Sequence, residues 1–188
     1  EAVAEMDLKN AFNCVSRRAI EMRLEQHAPS LLGYFRACYS RQGSLLAASK
    51  GKTSWLSSQT GVQQGDPLGP ALFCIGYLGV LQRVRARHPQ VGLVAYQDDT
   101  YIVGEDQDVA EAIDTFTNAC AQVQLRVNLE KSSVLGPTNT PPTVSVSQGR
   151  AKDAGSGLVV LGSPVGSTLF VHSHLYQKAQ EQQAALHN

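Results

Sequence analysis

The chain has 188 residues, of which 43% are hydrophobic and 17% are charged, and this composition excludes an intrinsically disordered protein. Its 16 basic and 16 acidic residues give a net charge of zero, which excludes a domain that binds nucleic acid through excess positive charge alone. The cysteines, Cys14, Cys38, Cys74 and Cys120, are far apart, so neither a zinc site nor a disulfide framework is predicted.

No secretory signal is predicted in the N-terminal segment, because no cationic stretch is followed by an apolar run. The longest mostly apolar stretch, 67–81, is shorter than the roughly 20 residues that a membrane span needs. We therefore expect no membrane partner and an intracellular location, cytoplasmic or nuclear. The chain begins at Glu1 without a methionine, and we interpret it as an excised piece of a longer polypeptide.

The first elements predicted along the chain are a strand and two helices. The strand covers 2–8, the first helix 11–23, and the second helix 31–38. The polar segment 42–58 is predicted to be a loop or an irregular hairpin.

A long buried helix is predicted to follow. Asp66 would cap its first turn and Pro67 would occupy the first helical position. The helix would end near His88, because Pro89 disfavours helical backbone in the residue before it. The residues predicted to face the core are Leu68, Leu72, Ile75, Leu78 and Leu81.

The second half of the chain continues the alternation of strands and helices. Its predicted elements are two strands within 91–103, an amphipathic helix over 106–123, a strand over 125–135, a flexible loop or insertion over 137–157, and a short apolar run at 158–161 before a turn. This order predicts an α+β fold with an antiparallel sheet backed by helices.

Three acidic residues are candidates for a shared site. Asp98 and Asp99 lie at the tip of the predicted hairpin, and Asp7 ends the first strand. Neighbouring carboxylates repel one another unless a cation lies between them, and Mg²⁺ prefers such oxygen ligands. The alternatives are an ordinary polar turn at 98–99 and a helix cap at Asp7.

The segment 61–70 is dense in Gly, Gln and Pro. Its glycines permit close approach of a ligand to the backbone, and Gln64 offers an amide at the start of the predicted helix. As structure alone, this segment is a loop and a helix cap.

Several motifs resemble those of reverse transcriptases, especially retrotransposons without long terminal repeats. The first three are Asp7-x-x-Asn-Ala-Phe12, Gln64-Gly65-Asp66-Pro67-Leu68-Gly69-Pro70 with Phe73, and Tyr96-Gln97-Asp98-Asp99. Val127-Asn128-Leu129-Glu130-Lys131-Ser132 is similar to the family's fourth motif, and Leu161-Gly162-Ser163-Pro164 to the fifth, which contacts the primer.

The resemblance implies a polymerase palm with a ferredoxin-like or RRM-like core. The palm core would cover 1–136, and 137–157 would be a flexible loop or insertion. A primer-grip-like segment and a C-terminal helical tail would cover 158–188. The resemblance implies that the family's fingers and thumb are absent from this chain.

The resemblance also implies a catalytic centre with two Mg²⁺ ions, for which Mn²⁺ is a possible substitute. Asp7 and Asp98 would be the principal ligands and Asp99 the third carboxylate. Lys131 would protonate or support the departing pyrophosphate; the alternative is a solvated surface lysine.

The nucleotide would be bound by two further motifs. By resemblance, backbone amides near Asn10 and Ala11 face the triphosphate, and Phe12 rejects a ribose 2′-hydroxyl by its bulk. Gln64 and Gly65 would contact the incoming nucleotide and the template base.

Leu161 and Gly162 would form the primer grip. Gln97 departs from the small or apolar residue that the family usually has at its position, and this change could alter primer positioning or speed.

The implied partners are an RNA template, a DNA primer, deoxynucleoside triphosphates and the remainder of the parent polypeptide. The isolated piece is expected to have little or no activity. The alternatives are a catalytically silent reverse-transcriptase-like module that binds nucleic acid or acts as a scaffold, an RNA-templated RNA polymerase palm, and a metal-dependent nuclease.

Overall fold

The computed structural model of the chain describes residues 1–41, 43–49, 51–137 and 145–185. Its α-helices are α1 (Ala11–Cys14), α2 (Arg17–His27), α3 (Leu32–Tyr39), α4 (Gly69–Arg87), α5 (Asp106–Gln122) and α6 (Thr168–Ala185). Short 3-10 helices cover Pro29–Leu31 and Ser147–Arg150.

The strands form one large sheet and two separate hairpins within the described residues. They are β1 (Ala2–Met6), β2 (Gly43–Ser49), β3 (Lys52–Ser58), β4 (Gly92–Tyr96), β5 (Asp99–Gly104), β6 (Ser133–Leu135), β7 (Lys152–Asp153), β8 (Gly157–Val160) and β9 (Ser163–Gly166). The large sheet has the order β4-β5-β1-β6-β7, antiparallel except between β6 and β7. The pairs β2–β3 and β8–β9 are antiparallel hairpins.

The large sheet has the strand order of a ferredoxin-like core. The elements β1, α4, β4, β5, α5 and β6 follow one another as β-α-β-β-α-β, and β1 lies between β5 and β6. The predicted α+β class, with an antiparallel sheet backed by helices, is therefore confirmed.

Alternation along β1 divides this sheet into two faces. Ala4 and Met6 are fully buried, whereas Glu5 is half-buried. The register pairs Met6 with the buried Thr100, and Glu5 with Tyr101. Residues directly opposite one another share a face. Met6 and Thr100 thus lie on the helix-covered face, and Glu5 and Tyr101 lie on the other, which we call the outer face.

A row of aromatic rings joins the helices to the sheet. Phe12 stacks on Phe73 at 4.5 Å between centroids, Phe73 stacks on Tyr77 at 5.5 Å, and the Tyr77 ring meets Phe116 edge-on at 6.3 Å. The buried hydroxyl of Tyr77 is hydrogen-bonded to Thr100 Oγ1 at 2.7 Å. This row connects α1, α4, α5 and β5.

The predicted start of the long helix was wrong. α4 begins at Gly69, with Pro70 in its first turn, and the side chain of Asp66 does not cap it. Asp66 instead accepts a hydrogen bond from the Leu68 amide, which closes a turn before the helix. The predicted end was confirmed, because His88 directly follows the last helical residue.

The core-facing side of α4 also differs from the prediction. Of the predicted residues only Leu72 is fully buried, and Leu68, Ile75 and Leu81 are partly buried and pack against the core. The helix carries apolar residues on several sides, so periodicity alone does not identify its buried side. The other buried residues of this helix are Gly69, Phe73, Gly76, Tyr77, Val80 and Val84.

The helix predicted over 11–23 is two helices. Val15 has an extended backbone, and Ser16 caps α2 by accepting a hydrogen bond from the Ala19 amide. The helix is interrupted here because the backbone forms hydrogen bonds with distant segments. The Gly61 amide donates to the Val15 carbonyl, and the Ser16 amide donates to the Val123 carbonyl, each at 2.9 Å.

The segment 125–135 contains less strand than predicted. Only Ser133–Leu135 forms a strand in 125–135, apart from a single bridge between Leu8 and Val127. Of the predicted flexible loop, 138–144 lies outside the described residues. The part from 145 onward is held by Asp106, which accepts hydrogen bonds from the amides of Val146 and Ser147.

Several other predictions agree with the structure. β2 and β3 form a hairpin that is more regular than expected, and α5 is an amphipathic helix, as predicted. A turn does follow the apolar run, but it lies one residue earlier than the predicted turn at 162–164, because Leu161 and Gly162 form it and Ser163 and Pro164 belong to β9. No helix in the described part of the chain has the length and apolar character required to cross a membrane.

Gly61 lies in direct contact with the backbone of α1. Its φ is +68°, and a Cβ at this position would lie 2.3 Å from the Asn13 carbonyl carbon. The neighbouring amide of Val62 donates to the Phe12 carbonyl at 2.7 Å. Only glycine fits this approach, which fixes the segment after β3 against α1.

The hydrogen bond between Tyr77 and Thr100 yields a first prediction. Tyr77→Phe or Thr100→Val alone should lower the free energy of unfolding by about 1–3 kcal/mol, because each leaves one buried hydroxyl without its partner. The double variant should be closer to the wild type than the sum of the single variants. Urea denaturation of all four proteins measures this coupling, and strictly additive losses would contradict it.

The close approach of Gly61 yields a second prediction. Gly61→Ala should lower the free energy of unfolding by about 2 kcal/mol or more, because the methyl group clashes with backbone and the φ is strained. Gly33→Ala is the matched control, since a Cβ at Gly33 meets nothing within 4 Å. It should leave stability unchanged or raise it by less than about 1 kcal/mol. Equal thermal shifts for both variants would contradict the prediction.

Candidate active site

The three candidate aspartates lie at one end of the large sheet. The register of β1 and β5 ends with Met6 paired to Thr100, and Asp7 and Asp99 are the next residues beyond this pair, Asp7 after Met6 and Asp99 before Thr100. Alternation puts both on the outer face. Asp98 belongs to the turn that connects β4 to β5, directly before Asp99. The spatial proximity expected from the sequence is therefore present between these segments.

The carboxylates at this end of the sheet influence one another. Burial raises the pKa of Asp99, and the charges of Asp98 and Asp7 raise it further. Burial also raises the pKa of Glu5, with Asp99 and Asp7 adding to the rise and a hydrogen bond from Tyr101 opposing it. Among the described residues, however, no three His, Cys, Asp or Glu side chains form a group that could hold a metal ion. The metal site stays a prediction.

The turn before Asp99 has an unusual backbone. Gln97 has a φ of +55°, in the left-handed region that residues other than glycine, asparagine and aspartate seldom adopt. Tyr96, which precedes it, is 62% exposed. The residue that departs from the family pattern thus occupies a strained position beside Asp98, and strain of this kind is concentrated at functional sites.

The backbone of Asp7 is held by the segment that precedes β6. Its amide donates to Ser132 Oγ at 3.0 Å, and its carbonyl accepts from the Asn128 amide at 2.8 Å. Ser132 is fully buried. The fourth motif therefore supports Asp7 through hydrogen bonds to the backbone amide and carbonyl of Asp7.

Asn10, Ala11 and Phe12 follow Asp7 directly. Asn10 has a φ of +49°, and its Oδ1 accepts a hydrogen bond from Asn13 Nδ2 at 2.6 Å. Ala11 is buried, and Phe12 is half-buried with its ring stacked on Phe73. The Phe12 ring is thus fixed in orientation while part of it remains accessible.

Gln64 and Gly65 lie in an exposed turn, and Gly65 has a φ of +90°. The turn starts beside the first motif, because the Val62 amide bonds to the Phe12 carbonyl. A cleft of about 410 Å³ is lined by residues that include Gln64 and Asn13. The structure thus brings the first two motifs together.

The hairpin β8–β9 also reaches the outer face. Leu161 and Gly162 form its turn, with φ values of +47° and +85°. The Leu161 amide donates to the hydroxyl of Tyr101 at 3.3 Å, and this hydroxyl lies 3.5 Å from Glu5 Oε1. Since Tyr101 is two residues from Asp99, the predicted primer-grip turn contacts the face that carries the carboxylates.

Lys131 is exposed in a turn closed by its amide and the Asn128 carbonyl at 3.0 Å. Its role in supporting pyrophosphate stays a prediction, beside the alternative of a surface lysine.

Sequence reasoning missed several residues of this site. Glu5 and Tyr101 could have been found, because each lies two residues from a candidate aspartate on the same strand and so shares its face. Tyr39, whose hydroxyl accepts a hydrogen bond from the Gln63 amide, could not, since this contact joins segments remote in sequence.

Known proteins similar to this chain are encoded by retrotransposable elements. The Retrotransposable element SLACS 132 kDa protein of Trypanosoma brucei gambiense is 29% identical over 147 residues, which cover 71% of this chain and 12% of that protein. The Retrovirus-related Pol polyprotein from type-1 retrotransposable element R2 of Nasonia vitripennis is 28% identical over 118 residues, 58% of this chain and 12% of that protein. The chain thus spans about an eighth of the length of each of these two relatives, because the match covers 12% of each.

Solved structures with a similar fold are telomerases. Apo telomerase from Candida tropicalis, truncated from its C-terminal domain, superposes with a TM-score of 0.62 and 14% identity over 90% of this chain and 34% of that one. Telomerase from Candida albicans in complex with a TWJ fragment of telomeric RNA superposes with a TM-score of 0.54 and 15% sequence identity. The superposition covers 90% of this chain and 29% of that one. At these identities the likeness concerns the fold alone, and it agrees with the predicted palm.

Residues 1–152 match the family described as reverse transcriptase (RNA-dependent DNA polymerase), and the chain therefore belongs to the reverse transcriptase family.

Proposed function

We propose that this chain is the palm of an RNA-directed DNA polymerase, which adds deoxynucleotides to the 3′-hydroxyl of a DNA primer on an RNA template. The observation that carries the proposal is the register that pairs Met6 with Thr100, because it brings Asp7 and Asp99 to the same end of the sheet, with Asp98 in the adjoining turn and the charges of Asp7 and Asp98 raising the pKa of Asp99. Membership of the reverse transcriptase family supports it. The activity is proposed for a polypeptide that also supplies fingers and a thumb.

The donor set of the site fits magnesium. Three carboxylates offer the hard oxygen ligands that Mg²⁺ prefers, and divalent cations relieve the repulsion between them. We assign Asp7 and Asp98 as principal ligands and Asp99 as the third. Bound magnesium would supply the charge that activates the primer hydroxyl and stabilises the departing pyrophosphate. The side chains must turn toward a common point to do this, because no three such groups in the described part of the chain are gathered for metal binding.

The first motif is proposed to select the sugar. The ring of Phe12 is held by Phe73 at 4.5 Å, so it cannot easily move aside for a ribose 2′-hydroxyl. Steric exclusion of this kind requires a rigid wall. Backbone amides near Asn10 and Ala11 are proposed to face the triphosphate.

The remaining predicted residues are proposed to bind the substrates around this centre. Gln64 and Gly65 contact the incoming nucleotide and the template base, and their exposure in the structure supports this role. Leu161 and Gly162 contact the primer, which the bond between Leu161 and Tyr101 supports. Lys131 supports the pyrophosphate.

A second candidate function is a catalytically silent module that binds nucleic acid. One observation favours it: among the described residues no three His, Cys, Asp or Glu side chains form a group that could hold a metal ion. Such a module would bind primer and template without extending the primer.

The assignment of Asp98 as a metal ligand predicts the effect of removing its charge. The polypeptide containing this chain should extend a DNA primer on an RNA template with Mg²⁺, and Asp98→Asn should lower kcat by about 100-fold or more. Asp108→Asn is the matched control, because Asp108 lies in α5, beyond the opposite end of β5. Near-normal extension by Asp98→Asn would remove the metal assignment. Binding of primer and template without extension by the wild type would support the silent module.

The sugar gate predicts a change in selectivity. Phe12→Ala should admit ribonucleotides and lower the preference for deoxynucleotides by about 10-fold or more, because the wall beneath the sugar is removed. Phe12→Tyr keeps the ring and should retain the preference. Incorporation of single nucleotides of both kinds measures the ratio, and an unchanged ratio in Phe12→Ala would show that another residue rejects ribose.

A further inference from the structure

Asp66, which the sequence suggested as a helix cap, is the acceptor of a network formed with α3. Its Oδ1 accepts hydrogen bonds from the Tyr34 hydroxyl at 2.8 Å and from the Leu68 amide at 2.9 Å. Its Oδ2 accepts from the hydroxyl of Tyr39. Hydrogen bonds to a carboxylate are stronger than those between neutral groups, so α3 and the turn before α4 are firmly joined.

Tyr39 is the buried member of this network. It is 3% exposed, and its ring stacks on Phe35 and lies 5.2 Å from the Arg17 guanidinium. While its hydroxyl donates to Asp66, the same oxygen accepts a hydrogen bond from the Gln63 amide at 3.2 Å. One rigidly packed hydroxyl therefore contacts both ends of a four-residue turn.

The residues between these two ends are Gln64 and Gly65. The turn is closed by the Asp66 amide, which donates to the Gln63 carbonyl at 3.2 Å, and its two central residues are exposed. Because the hydroxyl of Tyr39 holds both ends of the turn, it determines where these residues are presented.

The protonation states of the network suit these roles. Burial raises the pKa of Tyr39 to about 12, and the bond to Asp66 adds to the rise, so the hydroxyl remains a donor. Burial alone would raise the pKa of Asp66, but the hydrogen bonds from Tyr39, the Leu68 amide and Tyr34 outweigh it and lower the pKa. The carboxylate therefore stays ionised and accepts throughout the neutral range.

Arg17 holds the segment that leads into this turn. Its guanidinium donates to the Gly61 carbonyl at 2.9 Å, to the Ser58 carbonyl at 3.0 Å and to Ser58 Oγ at 2.9 Å. These bonds and the stacking on Tyr39 fix the chain from the end of β3 to the turn.

We propose that Tyr39, through the hydroxyl that joins Gln63 and Asp66, is a positioning residue that sets the affinity of the Gln64–Gly65 turn for the incoming deoxynucleotide. This inference rests on the proposed function, because it takes the nucleotide as the ligand of that turn. It assigns the control of nucleotide affinity to α3, a helix that carries none of the candidate aspartates.

The test uses Tyr39→Phe in the polypeptide that contains this chain. The Gln63 amide and Asp66 each lose a partner, so the KM and the equilibrium Kd for a deoxynucleoside triphosphate should rise about tenfold, with kcat changed less than about twofold. Hydrogen exchange at the amides of 63–68 should become faster. Asp66→Asn keeps an acceptor oxygen and should raise KM less than Asp66→Ala. Tyr176→Phe on α6, where the side chain is 68% exposed, is the matched control and should change none of these values.

Each outcome bears on the proposal. A higher Kd with faster exchange confined to the turn supports it, even if the wild type extends no primer, in which case only the proposed polymerase activity fails. An unchanged Kd in Tyr39→Phe overturns it. Equal losses of kcat and thermal stability at unchanged KM would show a purely structural role and also overturn it, as would a wild type that binds no deoxynucleotide.

Discussion

The antiparallel register between β1 and β5 is the constraint on which the site depends. Pairing of Met6 with Thr100 fixes which side chains face the helices, and through alternation it also fixes that Asp7 and Asp99 share the outer face. A slip by one residue would turn every side chain of β1 to the other face, so the buried alternation strongly disfavours it. The hydroxyl of Tyr77, bonded to Thr100, attaches α4 to the residue next to Asp99. Packing on the covered face therefore positions negative charges on the outer one, where their mutual repulsion alone would separate them.

Segments remote in sequence meet around these aspartates, and hydrogen bonds to their backbone groups, several of them from side-chain hydroxyls, hold most of them. The segment before β6 holds Asp7 through Ser132 and Asn128, and the Val62 amide holds the carbonyl of Phe12. The hydroxyl of Tyr39 holds the turn before α4, and that of Tyr101 holds the tip of β8–β9. Contacts of this kind fix the path of a loop while its own side chains stay available to a ligand. An arrangement of exposed loops on a rigid sheet is what a binding or catalytic site requires.

Errors of the sequence-based interpretation occur where local and tertiary partners compete. The residues 11–23 have a helical pattern, but Val15 and Ser16 gain backbone partners from Gly61 and Val123, and these bonds interrupt the helix. Asp66 has the residue type of a helix cap, but its carboxylate accepts hydrogen bonds from the tyrosines of α3, and α4 starts three residues later, at Gly69. In both cases a residue with a correct local propensity was used by a distant element, which is the usual way in which tertiary structure overrides propensity.

By itself, the sequence determined the α+β class, the hairpin that ends in the aspartate pair, the amphipathic face of α5 and the motif set of the reverse transcriptase family. These features are local or follow a short period, so they can be derived from neighbouring residues. Only the tertiary structure decided that β1 pairs with β5, which brings Glu5 and Asp7 to the same face as Tyr101 and Asp99, and that Tyr39 holds the turn before α4. Strand register and long-range hydrogen bonds join segments separated by tens of residues, and no local pattern specifies which of the possible partners will meet.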